Sequence, residues 1–329
     1  MRHRVKPVPS MQIRAWRCAL AACLCLTIAA PTVARAATIT DANGRPVMAS
    51  DASRIVSIGG AVTEILYALG MDDRIVAIDT TSLYPQRAAR EKKSVGYMRQ
   101  LSPEGVLGLA PTLRLATEGA GPKETMAVLS AAKVPRVVVP DHHSGQGIVE
   151  KVELVAAAVG ASGRGQCLAK QVQSDLAALR DFEAGIGKRK RVLFVLSFVN
   201  GKAMVSGRNT AADGIIQLAG AENAITEYDG YKPISDEALI AAKPDVVLAM
   251  ERPGSKLTAG EIFARPAFSA TPAAATQAFV SMEGLYLLGF GPRSARAARD
   301  LALALYPGLK TEPLPSERTD APAEACARQ

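Results

Sequence analysis

The stretch RIVSIGGAVTEILYALG, residues 54–70, sets the fold class. Arg54 to Ile58 is a short, mostly apolar run closed by Gly59 and Gly60, the pattern of a buried strand. Thr63 to Leu69 then carries a helical apolar pattern that Gly70 stops. The same unit recurs downstream. Strands are expected at 74–79, 94–96, 112–116 and 136–140. Helices are expected from Ser102 to Pro111, with Pro103 at the first position and Glu104 in the first turn, from Pro122 to Lys133, and from Ile148 to Val159. Such alternation argues for a mostly parallel sheet flanked by helices.

Gln166 to Phe182 breaks the rhythm. Leu168, Val172, Leu176, Leu179 and Phe182 fall on one helical face, so one long amphipathic helix is expected. The basic run Lys188 to Arg191 reads as a solvated turn. The alternation then restarts, with strands at 192–197 and 245–250 and helices at 210–219, 235–243 and 293–305. The two halves repeat each other. LSPEGVLGLAP (101–111) matches ISDEALIAAKP (234–244), each with Ser, then Glu in the first helical turn, then a closing Pro. The fold expected is α/β, with two similar lobes joined by one long rigid helix. The boundaries are 37–160 for the N-terminal lobe, 161–187 for the joining helix and 188–310 for the C-terminal lobe. Ligands of such sheets sit beyond the carboxyl ends of strands, so the cleft between lobes is the expected site.

Residues 1–36 read as a signal peptide. Arg2, Arg4, Lys6, Arg14 and Arg17 precede the apolar run from Cys18 to Ala30, and Ala34-Arg35-Ala36 supplies a small-residue cleavage site. Leu20-Ala21-Ala22-Cys23 imitates a lipidation box, but apolar residues continue beyond the Cys. Export to the periplasm with cleavage near Ala36 is therefore expected. Six of the 39 Lys and Arg lie in this segment, leaving 33 against 31 acids, so the basic balance belongs mostly to the signal. No concentrated basic footprint remains to suggest nucleic acid. Cys167 and Cys326 are the cysteines left after cleavage. Residues 311–329 are rich in Pro, Glu and Ala without apolar period and read as a disordered tail, which argues against pairing the two.

At this point the chain resembles a known group. RIVSIGGAVTEILYALG (54–70) resembles the opening of the helix-spanned binding proteins of ABC importers, which carry siderophores, cobalamin or haem. SVGYMRQLSPEGVLGLAPTL (94–113), GRNTAADGIIQLAG (207–220) and LLGFGPR (287–293) are similar to the haem-binding branch. The resemblance covers roughly residues 53–308. It implies that Tyr97 is the axial ligand of a haem iron, and that an Arg at about the place of Arg252 bonds to that Tyr. It also implies that Glu104 and Glu237, at equivalent helix starts, dock into a membrane permease. The chemistry is sensible on its own terms, because a phenolate oxygen ligates ferric haem. A free phenol titrates near pH ~10, so ionisation needs the iron and a nearby cation. Arg99 is the other candidate cation, and Arg208 could meet a propionate. Met98, Phe198, Met204 and Phe290 are candidate apolar walls. Phe198 stands where some haem-branch members carry a His, which favours one haem.

The remaining readings exclude other chemistry. His142 and His143 are adjacent, and adjacent side chains on an extended segment diverge, making a poor chelate. No CxxC pattern supports zinc or an iron–sulfur cluster. No G-x-S-x-G elbow supports a hydrolase, so no enzymatic activity is expected. The expected function is capture of haem by a monomeric binding protein and delivery to an inner-membrane ABC permease. A ferric siderophore or cobalamin in the same fold is the alternative.

Overall fold

The computed structural model describes residues 1, 3, 38–254, 256–310, 312–318 and 326. The signal segment and its cleavage site lie outside the described residues. Two short antiparallel strands, β1 (Thr38–Thr40) and β2 (Pro46–Met48), open the described chain. The N-terminal sheet follows, from β3 (Ile55–Ile58), β4 (Ile75–Ile78), β5 (Lys93–Ser94), β6 (Leu113–Thr117) and β7 (Arg136–Val139). Its order is β5-β4-β3-β6-β7 and every pairing is parallel. The five residues of β6 are all buried, as both faces of a helix-covered parallel sheet require. Helices α1 (Gly60–Ala68), α2 (Gln86–Glu91), α3 (Pro103–Leu107), α4 (Lys123–Ala131) and α5 (Gly145–Ala158) connect these strands or follow them.

The long helix is α6, Ser162–Glu183, with Leu168, Val172, Leu176 and Leu179 buried along one face. The C-terminal sheet contains β8 (Arg191–Val199), β9 (Lys202–Ser206), β10 (Glu222–Asn223), β11 (Tyr231–Pro233), β12 (Val246–Glu251) and β13 (Phe279–Glu283). Its order is β11-β9-β8-β12-β13, with β10 beside the start of β8. β8, β12 and β13 run parallel, whereas β9 forms an antiparallel hairpin with β8 and pairs antiparallel with β11. This sheet is therefore mixed where the five-stranded N-terminal sheet is wholly parallel. Helices α7 (Ala211–Leu218), α8 (Asp236–Ala242), the short α9 (Ala259–Phe263), α10 (Pro266–Ser269) and α11 (Pro272–Ala275), then α12 (Gly284–Leu288) and α13 (Ser294–Leu305) complete it. One apolar core runs through both lobes, joining Ile65 and Val152 to α6, Ile215 and Leu301.

The tail departs from expectation. Leu314 is 3% exposed, and the Ser316 N–H donates to Asp175 of α6 at 2.9 Å. Glu317 pairs with Arg299 and with Arg296 of α13. Cys167 and Cys326 are joined in a disulfide across 159 residues. Low hydrophobicity argued for disorder, but hydrogen bonds, ion pairs and a crosslink hold residues 312–318 and 326 where apolar burial alone does not.

Candidate ligand-binding cleft

The carboxyl ends of both sheets face one cleft of about 480 Å³, within the ~300–1,000 Å³ of small-molecule sites. Gly59 and Gly60, Thr80 and Thr81, Thr117 and Asp141 line it from the N-terminal lobe; Met250 to Pro253 and the start of α12 line it from the other. Local sequence explains the N-terminal wall. Asp79, buried just past β4, accepts from the Gly59 N–H at 2.8 Å, the Thr81 N–H at 2.9 Å and the Ser82 hydroxyl at 2.9 Å. Gly59 has φ +113°, and a Cβ there would stand 2.1 Å from the Thr117 Oγ1. Neither the backbone angle nor the space admits a side chain.

Tyr97 projects from the loop after β5. The Thr80 N–H donates to the Gly96 carbonyl at 2.9 Å, the Gly121 N–H to Met98 at 2.9 Å and the Gln100 N–H to Tyr97 at 2.8 Å. The loop backbone is thus tied on both sides, while the Tyr97 side chain stays 43% exposed. Among the described residues no side chain bonds its phenol oxygen. Met98 lines the cleft while packing on the small core of Val95 and Leu101. Arg99 also lines it and lies near Tyr231 of β11. Burial pushes the Tyr231 phenol up, against hydrogen bonds with Ala212 and Thr210 and the Arg99 cation. Arg252 lines the cleft from the C-terminal lobe.

The acids of the cleft are each already engaged. Glu283 caps α12, accepting from Leu285 and Tyr286 N–H at 2.8 and 2.7 Å. Glu251 takes the Lys256 ammonium at 2.6 Å and the Ser281 hydroxyl, which hold its carboxyl below the ordinary range. Asp141 meets the fully buried Lys151 at 3.1 Å and His143 at 3.4 Å. Burial pushes the Asp141 carboxyl up, but these two partners prevail and hold it at about 2. Arg99 and Arg252 have no ion-pair partner among the described residues. The cleft therefore offers two uncompensated guanidinium groups, an exposed phenol and apolar walls. That set suits a largely apolar ligand carrying carboxylates and a hard metal.

Sequence reading missed the walls supplied by Leu83, Met250, Pro253, Leu285 and Leu288. Met250 was within reach, since it ends the DVVLAM strand and such ends face ligands. The structure does not bring Phe198 or Arg208 to this cleft. A register shift between Val195 and Ser197 in the β8–β9 hairpin interrupts the alternation of sides. Phe198 instead packs with Phe268, its ring 3.6 Å from the Arg265 guanidinium. Arg208 pairs with Asp229 at 3.2 Å and is half exposed. Phe290 is buried, edge-on to His143, and Met204 lies in β9 without lining the cleft. His142 faces Glu150. Among the described residues no group of three or more His, Cys, Asp or Glu could hold a metal ion.

Glu104 and Glu237 occupy matching positions. Ser102 caps α3 and bonds Glu104 at 2.9 Å; Ser235 caps α8. The Glu237 backbone N–H and the Ser235 hydroxyl hold the Glu237 carboxyl below its ordinary range. Both glutamates are exposed.

A family comparison decides the class, because periplasmic binding protein matches residues 55–284. The chain belongs to the periplasmic binding protein family. Among solved structures it is similar to the periplasmic haem-binding protein BhuT in complex with two haems, at 39% identity and a TM-score of 0.74, covering 78% of this chain and 99% of that one. It is similar also to the periplasmic haem-binding protein RhuT from Roseiflexus sp. RS-1, at 38% identity and a TM-score of 0.74, covering 79% and 100%. A vitamin B12-binding protein of Yersinia pestis is 27% identical over 201 residues, 61% of this chain and 70% of that relative. Members of this family bind solutes for transport, which accords with a cleft built from strand ends and two lobes.

Proposed function

We propose that this exported protein captures haem in the inter-lobe cleft and delivers it to an inner-membrane ABC permease. The observation that carries the reading is the Tyr97 phenol, exposed and unbonded at a cleft where, among the described residues, Arg99 and Arg252 have no ion-pair partner. When bound, haem supplies a ferric iron that takes a phenolate oxygen. The chain's own residues do the rest. Tyr97 gives up its proton to bind the iron. Arg99 and Arg252 stabilise the phenolate or pair with propionates. Met98, Met250, Leu285 and Leu288 cover the apolar ring and exclude water. One haem is bound, with Tyr97 as its sole protein ligand, a reading supported by the lack, among the described residues, of any His or Cys in the cleft lining. Glu104 and Glu237 dock the two lobes onto the permease. The protein acts as a monomer, without catalysis, in the lobes bounded at 37–160 and 188–310. A second reading, cobalamin in the same cleft, is favoured by the vitamin B12-binding relative.

Titration with haemin followed in the Soret region tests this. Wild type is expected to give a saturable one-to-one phenolate spectrum. Tyr97→Ala is expected to lose it and to bind at least tenfold more weakly. Cyanocobalamin is expected not to compete. An unchanged spectrum in Tyr97→Ala would overturn the ligand assignment, and tight cobalamin binding without haemin binding would favour the second reading.

A further inference from the structure

Beside the cleft the lobes meet through the ion pair of Glu64 and Arg293. Glu64 lies on α1 and is 5% exposed, an unusual place for a carboxylate. Its Oε2 accepts from the Arg293 guanidinium at 2.9 Å, and its Oε1 from the Arg293 backbone N–H at 3.2 Å, at the N-cap of α13. The carboxylate of one lobe thus receives a guanidinium, a backbone donor and the positive end of a twelve-residue helix, all from the other. The Arg293 guanidinium also stacks 3.5 Å from the centre of the Tyr84 ring, from the N-terminal lobe, and 5.1 Å from that of Tyr286. Gly291 completes the seat, since a Cβ there would stand 3.3 Å from the Glu64 carboxyl carbon.

Buried ion pairs contribute little net stability over an apolar contact of the same shape, and their best use is to specify one arrangement. Here both carboxylate oxygens are satisfied only at one placement of α1 against α13. The pair lies next to both walls of the cleft, because α1 begins at the lining residue Gly60 and α13 follows α12, which lines the opposite side.

We propose that Glu64 and Arg293 are positioning residues that set the angle between the lobes, holding the cleft at binding width before ligand arrives. The inference rests on reading the cleft as the ligand site, but its geometry is testable without ligand. Removing the carboxylate frees the lobes to sample other angles, and affinity then falls by the fraction of molecules at the competent width.

The test uses Glu64→Gln, and Arg293→Lys as a second variant that keeps charge but loses the fork. Ligand-free protein is measured by small-angle scattering and amide exchange, and haemin binding by Soret titration. Both variants are expected to show a larger ligand-free radius of gyration and faster exchange at the start of α13. Haemin affinity is expected to drop about tenfold with the Soret position unchanged. Wild-type radius and exchange in folded variants would overturn the proposal. So would a shifted Soret band, since the pair would then act at the iron. If wild type binds no haemin, the cleft reading fails, while the ligand-free measurements still decide the role of the pair.

Discussion

Replacing Cys326 with Ser should cost this protein more stability than any other single change outside its core. The disulfide to Cys167 spans 159 residues, from near the start of α6 to the end of the chain. Constraining a loop of that length removes unfolded-state entropy equivalent to about 5 kcal/mol in the chain-entropy treatment, and measured values commonly reach ~2–4 kcal/mol. The crosslink also anchors a local set of contacts. Leu314 is buried, the Ser316 N–H satisfies Asp175, and Glu317 holds Arg296 and Arg299. Burial raises the Asp175 carboxyl, with the Ser316 hydrogen bonds opposing it, so a loosened strap leaves that acid with less support. The assay is urea unfolding of oxidised wild type, wild type in dithiothreitol and Cys326→Ser. The dithiol reduces the bridge by exchange, giving two cysteine thiols and its own cyclic disulfide. A loss of roughly 2–5 kcal/mol is expected for both the reduced protein and the variant. Equal midpoints in all three would refute the reasoning.

Three further outcomes follow from the site. Asp141 is held at about 2, below its ordinary value, so its contribution to stability is complete above pH ~4 and is lost as pH falls towards 2. Asp141→Asn should lower stability at pH 7 by roughly 1–2 kcal/mol, discounted because the carboxylate is partly exposed, and flatten the acid limb of a melting-temperature profile. An identical acid limb would contradict this. Gly60→Ala places a methyl 2.4 Å from Leu285 Cδ1 across the lobe contact and 2.6 Å from the Thr81 carbonyl of its own lobe. It should destabilise by about 1–3 kcal/mol and weaken haemin binding, read by melting and Soret titration. Glu104→Ala with Glu237→Ala should leave haemin affinity unchanged and abolish permease-dependent uptake in reconstituted vesicles; unimpaired uptake would dismiss the docking role.

Local physics made much of this protein legible. Caps and periods are properties of neighbouring residues, so Ser102, Thr210 and Ser235 marked helix starts, and each side chain does accept an N-terminal N–H. The buried face of α6, the two-lobed α/β plan and the Glu104 and Glu237 symmetry came from the same short-range signals. The Gly96-Tyr97 loop was singled out instead by the family resemblance of the motif around it. Long-range pairing was not legible. A one-residue register shift in β8 sent Phe198 into a separate core, and nothing in its neighbours encodes that shift. The cleft's charge depended on which acids were already taken, by Lys256, by α12 and by Lys151, and only proximity in space answers that. The tail's composition argued for disorder, yet its contacts lie on α6 and α13. Glu64 and Arg293 are 229 residues apart. A buried carboxylate on an otherwise apolar helix face signals a partner, but only the packing of one lobe on the other identifies it.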